Sequence, residues 1–225
     1  MDGKFPVLAI IGGTGTLGTG LAMRWAAAGY PVILGSRAAE KAVASAKAIR
    51  VGSGAAPVRG MDNVSAAQAG EIVIVTVPFS SHEPILREIS TAVAGKIVID
   101  TTVPLVPPKV ATVQLPPEGS AARAAQVLLG DNVRVVAAFQ NVAAHKLQSS
   151  QNIDCDVLVC SNDRAAREAA IALAGAAGLR GIDAGPLANA VAAEALTSIL
   201  IGINRRYKVD GAGIRITGAL AVSVD

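Results

Sequence analysis

Gly13, Gly15 and Gly18 stand at the spacing G-x-G-x-x-G, between an apolar run, Val7–Ile11, and a helix-like stretch, Leu17–Ala28. That order is strand, tight turn, helix, and few folds begin this way. Glycine at the first place allows a sharp turn. At the second it lets the backbone approach a pyrophosphate, and at the third it lets helix and strand pack closely. Free N–H groups at the helix start, reinforced by the helix dipole, then hold the phosphates. The spacing also arises for structural reasons, so the context carries the weight. In this context the pattern implies that the chain binds a dinucleotide.

A second strand-like run, Pro31–Gly35, arrives at the expected distance and ends in Ser36-Arg37, with Lys41 one helical turn on. A cofactor with a free ribose 2′-OH usually meets an Asp or Glu at this strand end. Here a hydroxyl and two cations stand instead. Arginine offers a planar fork suited to a phosphate, and lysine adds a point charge. The residues therefore imply NADP(H) rather than NAD(H), with the 2′-phosphate at Ser36, Arg37 and Lys41.

Short β-branched runs alternate with Ala-rich helical runs, the pattern of a doubly wound parallel sheet. The predicted strands are Val7–Ile11, Val32–Gly35, Ile72–Val77, Ile97–Asp100 and Val133–Phe139, with a minor one around Val58. They are nearly continuous in hydrophobicity, as strands covered on both faces should be. The predicted helices are Leu17–Ala28, Ala38–Ile49, His82–Ala94 and Ser120–Leu129. Two loops follow strand C-terminal ends, where ligands of open α/β sheets bind. Val77 and Pro78 in the first could lie against the cofactor. Thr101 and Thr102 in the second could offer hydroxyls near the nicotinamide. A Pro-rich stretch, Pro104–Pro117, reads as an ordered surface loop near the cleft. Beyond Gln148 the texture changes: strand Asp156–Cys160, helix Asp163–Ala177, short strand Leu179–Asp183, a Gly185-Pro186 turn and one long helix, Leu187–Arg206. The expected organisation is thus an α/β Rossmann-type domain over residues 1–145 and a small C-terminal α/β unit over 146–225.

With 52% hydrophobic residues and 16% charged, the 225-residue chain can bury a large core. A net charge of +3 is too small for a nucleic-acid surface. Cys155 and Cys160 form no CxxC motif, and with two histidines no metal site is expected. They read as buried, reduced thiols of a cytoplasmic protein. The apolar segment Val191–Ile203 is too short to span a bilayer and contains Glu194. On the long helix Leu187, Val191, Ala195, Ile199 and Ile203 repeat at four-residue spacing, a stripe that needs another surface; a homodimer is the economical answer. Glu194 itself is expected to reach solvent, and His82 to sit at the surface before its helix.

The run Gly12-Gly13-Thr14-Gly15-Thr16-Leu17-Gly18, followed by Gly35-Ser36-Arg37 and Lys41, resembles the deazaflavin-dependent NADP reductases, also called NADPH:coenzyme F-420 oxidoreductases. Val75-Thr76-Val77-Pro78 and Asp183-Ala184-Gly185-Pro186-Leu187-Ala188-Asn189 look like further signatures of that family, the last more specific than the glycine turn. The resemblance implies reversible hydride transfer between NADPH and the deazaflavin coenzyme F-420. It implies that Thr14, Gly15, Thr16 and Leu17 line the pyrophosphate and that Val77 and Pro78 border the cofactor. It also implies that Ala138–Ala144 passes beside the two rings and that Gly185, Pro186 and Leu187 close the far side of the cleft. Where family members often carry a His-Thr pair, this chain has Gln140-Asn141, with a histidine later at His145. Both amides can orient a carboxamide or a ring carbonyl, but neither shuttles a proton near neutral pH as histidine can. Gln140, Asn141 and His145 are the candidate residues at the reacting rings.

Ring-to-ring hydride transfer requires orientation and a dry cleft rather than an acid–base triad. The sequence holds neither Tyr-x-x-x-Lys nor G-x-S-x-G. Two other readings stay open: an NADPH reductase acting on another flavin, a quinone or a small carbonyl or imine, and a non-catalytic NADP-binding redox sensor.

Overall fold

A computed structural model describes residues 5–218; the ends of the two predicted units, residues 1–4 and 219–225, lie outside the described residues. The chain runs β1 (Leu8–Ile11), α1 (Thr16–Ala27), β2 (Val32–Ser36), α2 (Ala39–Ala48), β3 (Val58–Asp62), α3 (Asn63–Ala69), β4 (Ile72–Val75), α4 (Phe79–Ile89), β5 (Ile97–Asp100), α5 (Ala121–Leu129) and β6 (Arg134–Ala137). A 3-10 turn at Ala144–Gln148 leads to β7 (Asp156–Val159), α6 (Arg164–Ala176), β8 (Arg180–Asp183), a second 3-10 turn at Leu187–Asn189 and α7 (Ala190–Tyr207). The first six strands form one parallel sheet in the order β3-β2-β1-β4-β5-β6. The chain therefore builds outward from β1 to β3, then crosses back to start β4 beside β1. That crossover is the switch point of a doubly wound fold.

The all-buried patterns of β1, β4 and β5 explain their unbroken hydrophobicity. Alternate residues point to opposite layers. Leu8, Ile10, Leu34, Ile74 and Ile99 join the α1 residues Leu21 and Trp25 on one face. Ala9, Ile11, Val73, Val75 and Val98 join Ile85, Leu86 and Ile89 of α4 on the other. At the edge, β3 has no fully buried residue and carries Arg59 and Asp62, which is why its sequence signal was faint. The helix after it, α3, escapes the periodicity because it is only seven residues long.

β7 and β8 pair in parallel as a separate two-stranded sheet, yet they share the main core: Val157, Val159 and Leu173 belong to the same apolar cluster as Trp25. Trp25 Nε1 donates to the carbonyl of Leu173 at 2.8 Å, and Ala137 bridges antiparallel to Cys160. Arg24 adds a polar clasp. Its guanidinium donates to the carbonyls of Leu147, Lys146, Ser149, Gln151 and Ala177. One rigid fork from α1 thereby satisfies the ends of two C-terminal segments.

The last helix departs from expectation. With its leading 3-10 turn it runs Leu187–Tyr207, 21 residues, long and apolar enough to cross a membrane by length and composition. It packs on the protein instead. Ala190, Ala193, Glu194, Ser198 and Leu200 are buried, whereas Ile199 of the predicted stripe is 48% exposed. Glu194, expected in solvent, is 1% exposed. Its carboxylate accepts from the amides of Ala121 at 2.6 Å and Ala122 at 3.1 Å, at the start of α5, where a negative charge suits the helix dipole. Burial pushes its carboxyl up to about 8 against those two donors.

Two outcomes are expected. Arg24→Met should lower the unfolding free energy by about 3 kcal/mol in urea titrations, since several part-buried carbonyls lose their donor, and Arg24→Lys should recover little of it. A carboxyl raised in the folded state stabilises at low pH, and that stability is lost as pH rises from its unfolded value near 4.5 toward 8. The stability of Glu194→Gln relative to wild type should therefore increase across that window.

Candidate active site

The C-terminal ends of the central strands open onto a cleft of about 960 Å³, where the crossover between β1 and β4 leaves room. One wall is the glycine turn. Gly12 has φ +70°, and a side chain there would strike Val77. The left-handed position is thus Gly12, not Gly13 as the motif spacing implies. A Cβ on Gly13 would lie 2.6 Å from the Ile10 carbonyl oxygen, and one on Gly18 would lie 2.6 Å from Gly13 Cα. Both glycines serve the close packing of α1 on the turn. Gly15 differs: a Cβ there meets only the Gly12 oxygen, at 3.8 Å, and faces the cleft. Protein packing does not require glycine here, whereas a pyrophosphate laid against the turn would. The first turn of α1 has no acidic residue and no side-chain cap, and its first internal bond comes only at the Thr19 amide. The preceding amides face an anion without competition. The residues therefore fit a dinucleotide phosphate.

At the end of β2, Ser36 is buried while Arg37 and Lys41 are exposed, and all three line the cleft. No carboxylate is among the described lining residues. The acid that ends β3, Asp62, pairs in register with Ser36 but turns to cap α3, accepting from the Ser65 amide at 2.9 Å. Hydrogen bonding from Ser65, its side chain first and then its amide, holds the Asp62 carboxyl below the ordinary range. A free 2′-OH finds no acceptor of the expected kind here, and a 2′-phosphate finds two cations.

The other end of the cleft is built on β4, β5 and β6. Val77 and Pro78 line it, as do Leu105, Val106 and Pro107 of the Pro-rich loop. Thr101 and Thr102 line it as well, but their hydroxyls donate to the carbonyls of Val75 at 2.9 Å and Val77 at 3.4 Å, so they tie strand ends together. Beneath them lies Asp100, fully buried. Its carboxylate accepts from the Thr102 amide at 2.9 Å and bonds His82 Nε2 at 2.6 Å. Burial alone would push the His82 pKa down, but the Asp100 carboxylate overrides it and holds the imidazole above the ordinary histidine value. His82 is thus a buried residue. Because α4 starts at Phe79, position 82 falls on the inward stripe with Ile85, Leu86 and Ile89. The Asp100 backbone carbonyl accepts from the Ala138 amide and from Gln140 Nε2 at 2.9 Å. Phe139, between them, has φ +71°, packs edge-on to Trp25 and turns Gln140 to the cleft wall.

These features coincide with known proteins. Residues 7–104 match the family described as NADP oxidoreductase coenzyme F420-dependent. The F420-dependent NADP reductase of Methanocaldococcus jannaschii is 40% identical over 93% of this chain and 97% of its own length. That of Methanothermobacter thermautotrophicus is 42% identical over 93% and 94%. The chain belongs to the F420-dependent NADP reductase family. Solved structures agree on the fold. A protein from Arthrobacter sp. FB24 superimposes with a TM-score of 0.75 at 24% identity over 96% of this chain and 99% of its own. A pyrroline-5-carboxylate reductase from Coxiella burnetii gives 0.58 at 15% identity, over 92% and 71%.

The residues expected from the family resemblance separate into two groups. Thr14, Gly15, Thr16, Leu17, Ser36, Arg37, Lys41, Val77, Pro78 and Gln140 share the cleft. Gly13, Gly18 and Ala138 lie behind it as packing. Asn141 is buried, its Nδ2 donating to the carbonyl of Ala193 at 2.8 Å; it fastens α7 rather than facing a ring. His145 points outward, its side chain 54% exposed, and pairs with Asp210 at 2.9 Å. Gly185, Pro186 and Leu187 form the corner between β8 and α7: Gly185 accepts from the Ser161 amide, and Leu187 is buried in the core. They do not line the cleft. Three contributors went unrecognised in the sequence. Asp100 was signalled by a charge ending an apolar strand, His82 by its spacing to Ile85 and Ile89, and Asn63 by nothing local.

Gly15→Val should melt like wild type, since its Cβ points into open space, yet lose NADPH affinity by about a hundredfold or more in calorimetric titration.

Proposed function

We propose that this chain transfers hydride reversibly between NADPH and the deazaflavin coenzyme F420, without a covalent intermediate. The supporting observation is one continuous cleft, cationic at β2 and apolar at the ends of β4 to β6, with no carboxylate among its described lining residues. With both bound, NADPH would supply the hydride and its electron pair, and the deazaflavin would take it at a ring carbon, spread the resulting charge over the ring and take one proton from solvent. The chain's own residues bind and orient. Ser36, Arg37 and Lys41 hold the 2′-phosphate, and the first amides of α1 hold the pyrophosphate. Val77, Pro78, Leu105 and Val142 exclude water from the ring end, which strengthens every polar contact there. Ring-to-ring transfer needs reacting atoms about 3–3.5 Å apart, which is a matter of orientation. Reduction of a carbonyl or imine leaves its charge localised on one strongly basic atom and so requires a proton donor in the cleft, whereas a deazaflavin ring delocalises it; His82 is engaged behind the wall by Asp100. That observation favours the deazaflavin over a small carbonyl acceptor.

The same proposal divides the chain near residue 145 into a nucleotide-binding unit and a smaller C-terminal one. It places the enzyme in the cytoplasm as a homodimer. Two buried free thiols agree with a reducing compartment; burial pushes Cys160 up to about 11. The half-exposed Ile199, with Val191, Ala195 and Ile203 on the same stripe of α7, offers the surface a second copy would cover.

Mixing the protein anaerobically with NADPH and oxidised F420 should bleach the deazaflavin absorbance rapidly, and NADH should not substitute. NADPH binding without bleaching would overturn the choice of acceptor. Arg37→Ala should raise KM for NADPH by about tenfold or more and leave NADH use nearly unchanged; equal losses would exclude a 2′-phosphate contact.

A further inference from the structure

Two buried side-chain oxygens among the described residues have no partner: Asn63 Oδ1 and Gln140 Oε1. Both residues line the same cleft. They stand on opposite sides of the β1–β4 crossover, Asn63 after β3 and Gln140 after β6. Buried acceptors are rarely left unpaired in native proteins. Two such atoms at the two ends of one ligand-sized cleft point to donors on the ligand.

Gln140 is 6% exposed, and its orientation is fixed. Nε2 donates to the Asp100 carbonyl at 2.9 Å; the reverse amide orientation would set oxygen against oxygen. Its own backbone carbonyl accepts from Thr197 Oγ1 at 2.8 Å. One of the two N–H donors of the amide is therefore engaged by the protein, and Oε1 is the atom left wholly unpaired, so the unmet demand is for a donor on the ligand. This narrows the expectation drawn from sequence, in which the amide could serve a carboxamide or a ring carbonyl. A ring carbonyl is itself an acceptor and cannot satisfy Oε1.

We propose that Gln140 Oε1 accepts a hydrogen bond from the carboxamide N–H₂ of the nicotinamide and so selects and orients that ring. The inference rests on the NADP reading of the cleft. A dinucleotide anchored at Arg37 and the glycine turn lies along the strand ends, and Gln140, fastened to the end of β5, belongs to that floor. The second ring covers the first from the cleft side and meets the floor less directly. Gln140 is a specificity residue in this reading: it touches the substituent that distinguishes nicotinamide, not the reacting carbon.

Two oxidised NADP analogues test it by equilibrium binding to the full chain. The thionicotinamide analogue keeps the N–H₂, and the acetylpyridine analogue carries a methyl group in its place. Wild type should bind the acetylpyridine analogue about tenfold more weakly. In Gln140→Met the two affinities should converge, because loss of the Asp100 contact affects both analogues equally and cancels in the ratio. The wild-type comparison decides by itself should the variant fail to fold. Equal binding of both analogues by wild type, or a preference that survives in Gln140→Met, would overturn the proposal. So would a variant that raises KM for F420 while keeping the preference, since Oε1 would then face the deazaflavin N–H. Wild type that shows the preference but reduces no F420 would instead overturn the choice of acceptor and leave the Gln140 contact standing.

Discussion

The wholly buried carboxylate of Asp100 organises the ring end of the cleft. A buried carboxyl group without water must be satisfied by its neighbours, and here they come from two directions. The Thr102 amide bends the loop after β5 back over the strand end. His82 reaches across from α4 and fixes the helix that starts at Phe79. The Asp100 backbone carbonyl, meanwhile, holds Gln140 after β6. Removing one partner of such a buried pair costs about 3–5 kcal/mol, because the other charge is left uncompensated. The position of Gln140 thus depends on an ion pair it does not itself contact through its acceptor.

The nucleotide half of the protein was legible in the sequence because its constraints are local. A parallel sheet covered on both faces announces itself as short apolar runs, and a glycine turn as spacing. Even there the roles were redistributed. Gly12 takes the left-handed conformation, Gly13 and Gly18 are forced by packing, and Gly15 answers to the ligand space. Spacing records that glycines are needed, and only coordinates tell which neighbour each one must avoid.

What sequence could not reveal is set by contacts across long separations. Glu194 sits in an apolar helix and pairs with amides more than seventy positions away, so its local pattern suggested an outlet to solvent. His82 was misplaced because its helix starts three residues earlier than predicted. Gln140 and Asn141 are adjacent and chemically alike, yet one lines the cleft and the other fastens α7. The left-handed backbone at Phe139 shifts the chain between strand and loop at that point, and an alternation rule carries no information through such a turn. His145 pairs with Asp210 at an exposed position and the Gly185–Leu187 corner lies outside the cleft lining, a placement that local sequence does not carry.

The two ends of the cleft obey opposite electrostatic rules, and the chemistry follows from the difference. Arg37 and Lys41 are exposed cations at the cleft mouth, placed as a phosphate contact would need them. The ring end is apolar, its threonine hydroxyls spent on strand carbonyls and its histidine held away from the surface by Asp100. A largely apolar wall suits a step in which two bound rings carry the chemistry and the protein orients them. In that setting a single unpaired acceptor carries more weight than it would in water, because the donor that meets it recovers a hydrogen bond the apo protein lacks. The cations of one end and the unpaired acceptor of the other are held on one parallel sheet, which fixes the distance between them.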